Sequence, residues 1–197
     1  MKKSLLMAAL AAAVVGGEQA VSTFTDKRDG KVYRIVQIGS QVWFAENLNY
    51  AAKGSVCYDN KAANCAKYGR LYNWATALKA CPAGFHLPSD DEWTALVNYA
   101  GGEDKAGKKL KSAAGWNEDG NSTNDFGWSA LPGGGGGSDG SFNNAGNGGY
   151  WWSATEDDAS DAWLRDMHYG YEDVDRDFYY KTSLFSVRCI QNKEGEQ

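Results

Sequence analysis

The sequence contains few of the residues and motifs on which common enzyme classes depend. Its only histidines are His86 and His168, and no H-E-x-x-H or other paired ligand spacing surrounds them, which argues against a catalytic zinc site. No G-x-S-x-G elbow is present for a serine nucleophile. Residues 102–108 (GEDKAGK) fit the P-loop spacing, but Lys109 stands where Ser or Thr is required, so the match is accidental.

Long apolar runs are also scarce. The one candidate, residues 5–15, follows the basic pair Lys2 and Lys3 and is shorter than the about 20 residues that a membrane span needs. A short apolar run after a basic start is typical of a secretory signal. We therefore expect a signal peptide over residues 1–17, a linker over 18–22, no membrane span, and a secreted, periplasmic or cell-surface protein. No lipobox cysteine follows the run.

Positive charge is in deficit. Lys and Arg number 20 against 25 Asp and Glu, for a net charge of −5, and loss of Lys2 and Lys3 would make it −7 (−5 − 2). Nucleic acid and anionic membranes are therefore poor partners. The remaining length and aromatic content suit a single domain over residues 23–191 with a tail over 192–197. The sequence carries no signal for an oligomeric state.

Cysteine is limited to four residues. In an exported chain they predict two disulfides, for which the sequence permits three pairings. We favour Cys57 with Cys65 and Cys81 with Cys189, worth roughly 2 to 3 and 4 to 5 kcal/mol on the chain-entropy account. A zinc site made of all four thiolates would require C-x-x-C spacings, which are missing.

The periodicity of the chain predicts an α+β fold. Residues 30–48 alternate apolar and polar side chains around Gly39-Ser40 and predict a β-hairpin. Leu71, Trp74 and Leu78 have helical spacing before Cys81-Pro82 and predict a first helix. Ser89 and Glu92 form a capping box that opens a second helix, which ends at Gly101-Gly102. A short helix is predicted over residues 105–112.

After residue 112 the composition changes to Gly, Asn, Asp and Ser, which predicts long irregular loops. The five glycines at 133–137 indicate a flexible loop. Residues 117–125 (NEDGNSTND) are dense in oxygen ligands, so a calcium ion is a candidate there, although such loops are more often only solvated. We expect no other cofactor, and the D-x-D-x-D run at 173–177 fails the EF-hand pattern because Phe178 and Leu184 replace the required Gly and Glu.

Three β-type runs close the chain: residues 150–155, 162–169 and 183–190. They predict a C-terminal antiparallel strand cluster. We expect Phe185, Val187 and Cys189 to face the core. We expect Trp151 and Trp152 to be framework residues, with a single ring partly exposed.

Five ordered blocks, VWFAENL, GRLYNW, CPAGFHLPSDDEW, GYWWSAT and FSVRCI, resemble those of the Fibrobacter succinogenes major paralogous domain family over about residues 23–191. The resemblance implies a C-type-lectin-like fold, similar to formylglycine-generating enzymes and to the variable proteins of diversity-generating retroelements. Family members are mostly exported or cell-surface proteins, many of them lipoproteins. The reactive-cysteine activity of the formylglycine-generating relatives is not carried over, because all four cysteines here have structural partners.

The interval between the WWS and FSVRC blocks is rich in side chains that combine an apolar body with a polar tip, as recognition surfaces do. In the variable proteins this interval faces the ligand. The resemblance therefore implies that an extracellular glycan or a surface protein is bound by Trp163, Arg165, Asp166, His168, Tyr169, Tyr171, Glu172, Asp175, Arg176, Phe178 and Tyr179.

Two other functions stay open. An extracellular enzyme acting on polysaccharide or protein would need a deep pocket with convergent carboxylates, and Asp157, Asp158, Glu172 and Asp175 offer too many pairings to select one. A structural envelope protein would use the same aromatic and charged residues only as cross-strand pairs, each worth about 0.2 to 1 kcal/mol.

Overall fold

The structure is a computed structural model and describes residues 22–193. The predicted signal peptide, the linker up to residue 21 and residues 194–197 lie outside the described residues. The described chain is α+β, as predicted, with twelve strands in two sheets and four helices. Between residues 22 and 193 no helix has the length and apolar character needed to cross a membrane.

The first sheet joins the two ends of the described chain. Its order is β1-β2-β3-β12-β5, and every neighbouring pair is antiparallel. The predicted hairpin is confirmed, since Ile38 pairs with Gln41 across the two-residue turn Gly39-Ser40. The strands of this sheet are β1 (Ser22–Thr25), β2 (Val32–Ile38), β3 (Gln41–Phe44), β5 (Phe85–His86) and β12 (Ile190–Gln191).

The second sheet contains the first two predicted C-terminal runs as β8 and β9 and ends in a free edge at β10. The third predicted run, residues 183–190, is divided between β11 of this sheet and β12 of the first sheet. Its order is β10-β9-β8-β11-β4, with β6 and β7 attached beside β8. Pairing is antiparallel except where β8 meets β11 and β6. The strands are β4 (Leu71–Tyr72), β6 (Gly133–Gly136), β7 (Phe142–Ala145), β8 (Gly148–Glu156), β9 (Asp161–His168), β10 (Asp175–Tyr180) and β11 (Phe185–Ser186).

The glycine run does not form the predicted flexible loop. Gly133–Gly136 is the buried strand β6. A Cβ on Gly134, whose φ is +65°, would lie 2.4 Å from the Asn143 carbonyl oxygen, and one on Gly135 would lie 2.7 Å from the Phe185 ring. The run is therefore glycine because neighbouring backbone and rings approach it closely.

The helices are α1 (Ala62–Tyr68), α2 (Trp74–Ala77), α3 (Asp90–Ala100) and α4 (Glu103–Leu110). The capping box of α3 is confirmed, because Ser89 Oγ accepts from the Glu92 N–H at 3.2 Å and Glu92 Oε2 accepts from the Ser89 N–H at 2.9 Å. The predicted first helix is wrong over Leu71 and Tyr72, which pair with β11 as a strand, so tertiary pairing overrides the local helical spacing. Helix α1 was not predicted, and α4 begins two residues before the predicted segment.

The core consists of two hydrophobic clusters separated by strand β8. Trp152 lies in one with Tyr72 and Phe185. Trp151 lies in the other, where Trp43, Trp93, Trp116 and Trp128 also pack. Consecutive strand residues point to opposite faces, which explains the division. Both Trp151 and Trp152 are fully buried, so the expectation of one partly exposed ring is wrong.

Both favoured disulfides are present, Cys57–Cys65 and Cys81–Cys189, with Cα atoms 4.9 and 5.8 Å apart. Cys189 of the second disulfide lies in a continuous buried segment, since residues 185–190 are all buried. This confirms Phe185, Val187 and Cys189 as core residues. The C-terminal segment is thereby tied to the chain just after α2.

Arg188 is the charged centre of this buried segment. Its guanidinium donates to Asn47 Oδ1 at 2.8 Å and to the carbonyl oxygens of Phe44 and Trp128, and it lies 3.9 Å from the centroid of the Trp128 ring. Burial lowers the pKa of Arg188 to about 9, so it stays protonated at neutral pH. Neutral oxygens therefore take the place of water around this buried charge.

Candidate functional site

The exposed edge of the second sheet is the hairpin of β9 and β10. Every residue of β10 is exposed, whereas Ala162, Leu164 and Met167 of β9 are buried beneath it. Residues 22–193 expose seven large hydrophobic side chains, and four of these belong to this region: Tyr171, Phe178, Tyr179 and Tyr180. The hairpin thus holds solvent-facing rings on a rigid base.

The strand register divides the predicted site residues between two faces. Asp166 lies opposite both Tyr150 and Asp175, while Trp163 lies opposite Phe178. Because side chains alternate along a strand, the first three share one face and the last two share the other. The predicted residues therefore do not converge on a single site.

A cleft of about 520 Å³ opens beside Tyr179, between the end of β10 and the β6–β7 hairpin. The ring of Phe185 lies between those of Tyr150 and Tyr179, with centroid distances of 5.3 and 5.5 Å. Besides these rings and Tyr180, the lining consists of Gly136, Gly137, Ser138, Asp139, Ser141, Asn143, Asn144, Thr182 and Ser183. Such a mixture of rings, hydroxyl and amide groups with one carboxylate suits a polar ligand with apolar patches.

Hydrogen bonds within the cleft orient its polar groups. The Tyr150 hydroxyl accepts from Asn144 Nδ2 at 2.8 Å, and burial raises the pKa of Tyr150. Asp139 Oδ1 accepts from Ser141 Oγ at 2.7 Å and from the Ser141 N–H at 3.0 Å. The cleft is therefore preorganised, and its single carboxylate is already hydrogen-bonded.

Beside Tyr150, on the same face, lies a row of carboxylates. Burial raises the pKa of Asp166 to about 7, and the nearby charges of Asp175, Asp177 and Asp173 add to the shift. Burial followed by the charge of Asp173 also raises the pKa of Asp175. Asp166 therefore titrates near neutral pH, next to acidic groups and without a compensating cation.

The opposite face carries a smaller patch of Trp163, Arg176 and Phe178. The Arg176 guanidinium lies 3.3 Å from the Trp163 ring centroid, and the Trp163 and Phe178 rings meet edge to face at 5.6 Å. Arg176 Nε also donates to Asp90 Oδ2 at 2.9 Å. These contacts fix the patch to the first turn of α3.

Arg165, predicted to contact the ligand, lies under that same turn and is only 1% exposed. It donates to Asp90 Oδ1 at 2.6 Å and to Thr94 Oγ1 at 3.0 Å. Helix α3 packs over this part of β9, so we assign Arg165 a structural role and do not count it among the exposed residues. No feature of the sequence alone signals that α3 covers this position.

The remaining predicted residues, His168, Tyr169, Tyr171 and Glu172, lie at the end of the hairpin beside α4. The buried amine of Lys111 donates to the carbonyl oxygens of His168 at 3.1 Å and Tyr171 at 2.7 Å. The exposed pair of Lys108 and Glu172 meets at 2.7 Å. Helix α4 thus anchors this end of the hairpin, away from the cleft.

The predicted calcium loop uses oxygens for its own structure. Asn121 Oδ1 accepts from the Trp116 N–H at 3.0 Å, and Asn124 Oδ1 accepts from the Ser129 N–H at 2.8 Å. Over residues 22–193 no three His, Cys, Asp or Glu side chains come together as a metal site would require. Calcium binding by residues 117–125 stays a prediction.

The sequence interpretation missed most of the cleft. Of the eleven predicted ligand residues only Tyr179 lines it, whereas Tyr150, Asn143, Asn144 and Asp139 were not chosen. Asn143 and Asn144 come from β7 and Asp139 from the β6–β7 turn, in the segment whose composition predicts loops, whereas Tyr150 belongs to the predicted strand that forms β8. The one available signal was Tyr150, in the GYWWSAT block.

The sequence model of the Fibrobacter succinogenes major domain matches residues 36–191. This match spans both disulfides, β8 to β10 and the whole cleft, and covers well over half of the chain, which therefore belongs to this family. No curated protein and no solved structure matches the chain.

Proposed function

We propose that this member of the Fibrobacter succinogenes major domain family is an exported binding module that recognises a glycan through the cleft beside Tyr179. We also propose a C-type-lectin-like fold. Three features support this fold. Strands β1 and β12 lie in the same sheet, irregular segments separate the helices from the strand cluster, and the disulfide Cys81–Cys189 joins the segment after α2 to the C-terminal strands. A two-disulfide chain is consistent with action outside the cell.

The observation that carries the proposal is the exposure of two tyrosine rings at the mouth of a polar cleft. Tyr179 is 50% exposed and Tyr180 is 64% exposed, although Phe185 beneath them is buried. Tyrosine offers a large contact area at low cost in side-chain entropy, and its hydroxyl remains able to bond a partner. Rings held in this way suit the C–H faces of sugars.

The cleft favours binding over catalysis. A glycosidase needs two carboxyl groups across the scissile bond, about 5 to 9.5 Å apart. Among the described residues that line the cleft, Asp139 is the only acid. Asp166 and Asp175 lie opposite each other in the sheet, but neither lines the cleft.

A surface protein is the second candidate partner. The patch of Trp163, Arg176 and Phe178 combines residue types that dominate protein interfaces. The patch faces away from the cleft, so glycan binding and protein binding would depend on different residues. Substitutions in the cleft and in the patch therefore distinguish the two partners.

The test is retention on glycan and surface-protein arrays, with and without calcium. We expect Tyr179→Ala with Tyr180→Ala, the two exposed rings that line the cleft, to abolish glycan retention while the protein stays folded. Tyr99→Ala is the matched control, because Tyr99 is 57% exposed on α3, outside the hairpin and the cleft. Retention that is unchanged in the double variant, or lost equally in the control, would contradict the proposal. Loss of retention after calcium removal would support the ion predicted at residues 117–125.

A further inference from the structure

We propose that the cleft selects uncharged glycan segments and rejects glycans that carry carboxylate or sulfate groups, an inference that rests on the proposed glycan-binding function. It concerns which class of sugar the same site accepts. Three features carry it: the absence of a cation from the described residues of the lining, the commitment of Lys181, which follows Tyr180 in the chain, to other partners, and the acidic row beside Tyr150.

The lining offers nothing to neutralise an anionic sugar. Among the described residues that form the cleft there is no Lys or Arg, and Asp139 is the only charged side chain. Binding a uronate or a sulfate ester would therefore remove its water without supplying an opposite charge. Proteins avoid burying an unpaired charge in this way.

The nearest lysine in sequence is held elsewhere. Lys181 directly follows Tyr180, but its amine donates to the carbonyl oxygens of Asp158 at 2.6 Å and Ala159 at 3.1 Å. It also lies 3.4 Å from Glu156 Oε1. These partners keep its charge at the turn between β8 and β9 and leave the cleft without it.

The surroundings of the cleft are acidic. Asp166 and Asp175 lie in register with Tyr150 on the face that carries Tyr179. Asp177 belongs to the same face of β10. An anionic chain passing over Tyr150 would meet these carboxylates, whereas a neutral chain would not be repelled.

The groups that are present match a neutral sugar. Tyr179 and Tyr180 expose ring surface for C–H faces, while Asn143, Ser138 and Thr182 supply uncharged donors and acceptors for hydroxyl groups. The volume of about 520 Å³ falls within the range of small-molecule sites, about 300 to 1,000 Å³. The cleft is therefore of a size that suits a short segment of a sugar chain.

The experiment compares two sets of probes on the full chain by calorimetry: neutral hexose and pentose oligosaccharides, and oligogalacturonates and sulfated oligosaccharides of similar length. We expect binding of at least one neutral probe, weakened about tenfold or more by Tyr179→Ala, and no heat with the anionic probes. Ser138→Lys places a cation in the cleft without removing a side-chain hydrogen bond. We expect this variant to gain binding to the oligogalacturonates, and we expect that binding to weaken as salt is added.

The outcomes separate the two proposals. If the unsubstituted protein binds an anionic probe and Tyr179→Ala abolishes that binding, the selectivity is overturned and the glycan-binding function stands. If no probe of either class binds, both proposals fail. If a neutral probe binds equally to Tyr179→Ala and to the parent protein, the cleft is not its site and the inference is overturned.

Discussion

Two six-residue stretches near the end of the chain differ completely in their exposure to solvent. Every residue of Asp175–Tyr180 is exposed, while every residue of 185–190 is buried. Both stretches contain strand, at least one aromatic residue and an arginine, but only the exposed stretch carries acidic residues. Their positions account for the rest of the difference: β10 is the free edge of the second sheet, whereas residues 185–190 run from β11 inside that sheet to β12 in the first.

The comparison indicates that the buried stretch stabilises the fold and that the exposed stretch is available for binding. In the buried stretch, Arg188 and Cys189 have full sets of partners in distant parts of the chain. In the exposed stretch, Tyr179 and Tyr180 present ring surface to solvent. Substitutions in the buried stretch should therefore unfold the protein, and substitutions in the exposed stretch should change binding alone.

Removal of Cys81–Cys189 should have the largest effect on stability. We expect Cys81→Ser with Cys189→Ser to lower the free energy of unfolding by roughly 4 to 5 kcal/mol, because this disulfide closes a long loop. The matched pair is Cys57→Ser with Cys65→Ser, whose short loop predicts roughly 2 to 3 kcal/mol. Urea unfolding measures both. Equal losses for the two pairs would show that loop length does not control the difference.

Arg188→Met should have the next largest effect. The substitution leaves Asn47 Oδ1 with only the Trp151 Nε1–H as a donor and removes the Arg188 donors to the carbonyl oxygens of Phe44 and Trp128. We expect a loss of about 3 to 5 kcal/mol in the free energy of unfolding. Arg176→Met is the control from the exposed stretch and should cost less than about 1 kcal/mol. Similar losses in the two variants, measured by thermal and urea unfolding, would break the comparison between the stretches.

Asp166 should make stability depend on pH. Its pKa is raised from 3.8 to about 7 in the folded protein, so the folded state binds this proton more tightly than the unfolded state does. The contribution is complete below about pH 4 and is lost as the pH rises through about 7. Discounted for partial exposure, it amounts to roughly 1 to 2 kcal/mol. Asp166→Asn should therefore unfold at a higher temperature than the parent protein at pH 8, and a difference that instead grows toward pH 5 would contradict this assignment.

Features set by neighbours in sequence were predictable. The capping box at Ser89 and Glu92, the hairpin turn at Gly39-Ser40 and the strands that became β8 and β9 all depend on short-range patterns. The favoured cysteine pairs were also confirmed. These features fixed the α+β class and the general place of the exposed hairpin.

Features set by distant contacts were not predictable. The glycines at 133–136 predict a flexible loop, but they form β6. The Phe185 ring and the β7 backbone leave no room for side chains at these positions. The sequence predicts Arg165 as a ligand contact, but the side chain is buried because α3 packs across β9. The cleft was missed for the same reason, since the pairing of β6 with β8 and of β9 with β10 brings the β6–β7 hairpin close to Tyr179.

The most direct test of the account replaces Tyr179 and Tyr180 with threonine, which retains β propensity while removing the rings. Urea unfolding and glycan retention are then measured on the same sample. We predict a change of less than about 1 kcal/mol in the free energy of unfolding, the scale of cross-strand pairs, together with loss of glycan retention. A loss of several kcal/mol in the free energy of unfolding, or glycan retention that survives the substitution, would contradict the claim. The claim is that the edge strand β10 serves recognition and contributes little to the stability of the fold.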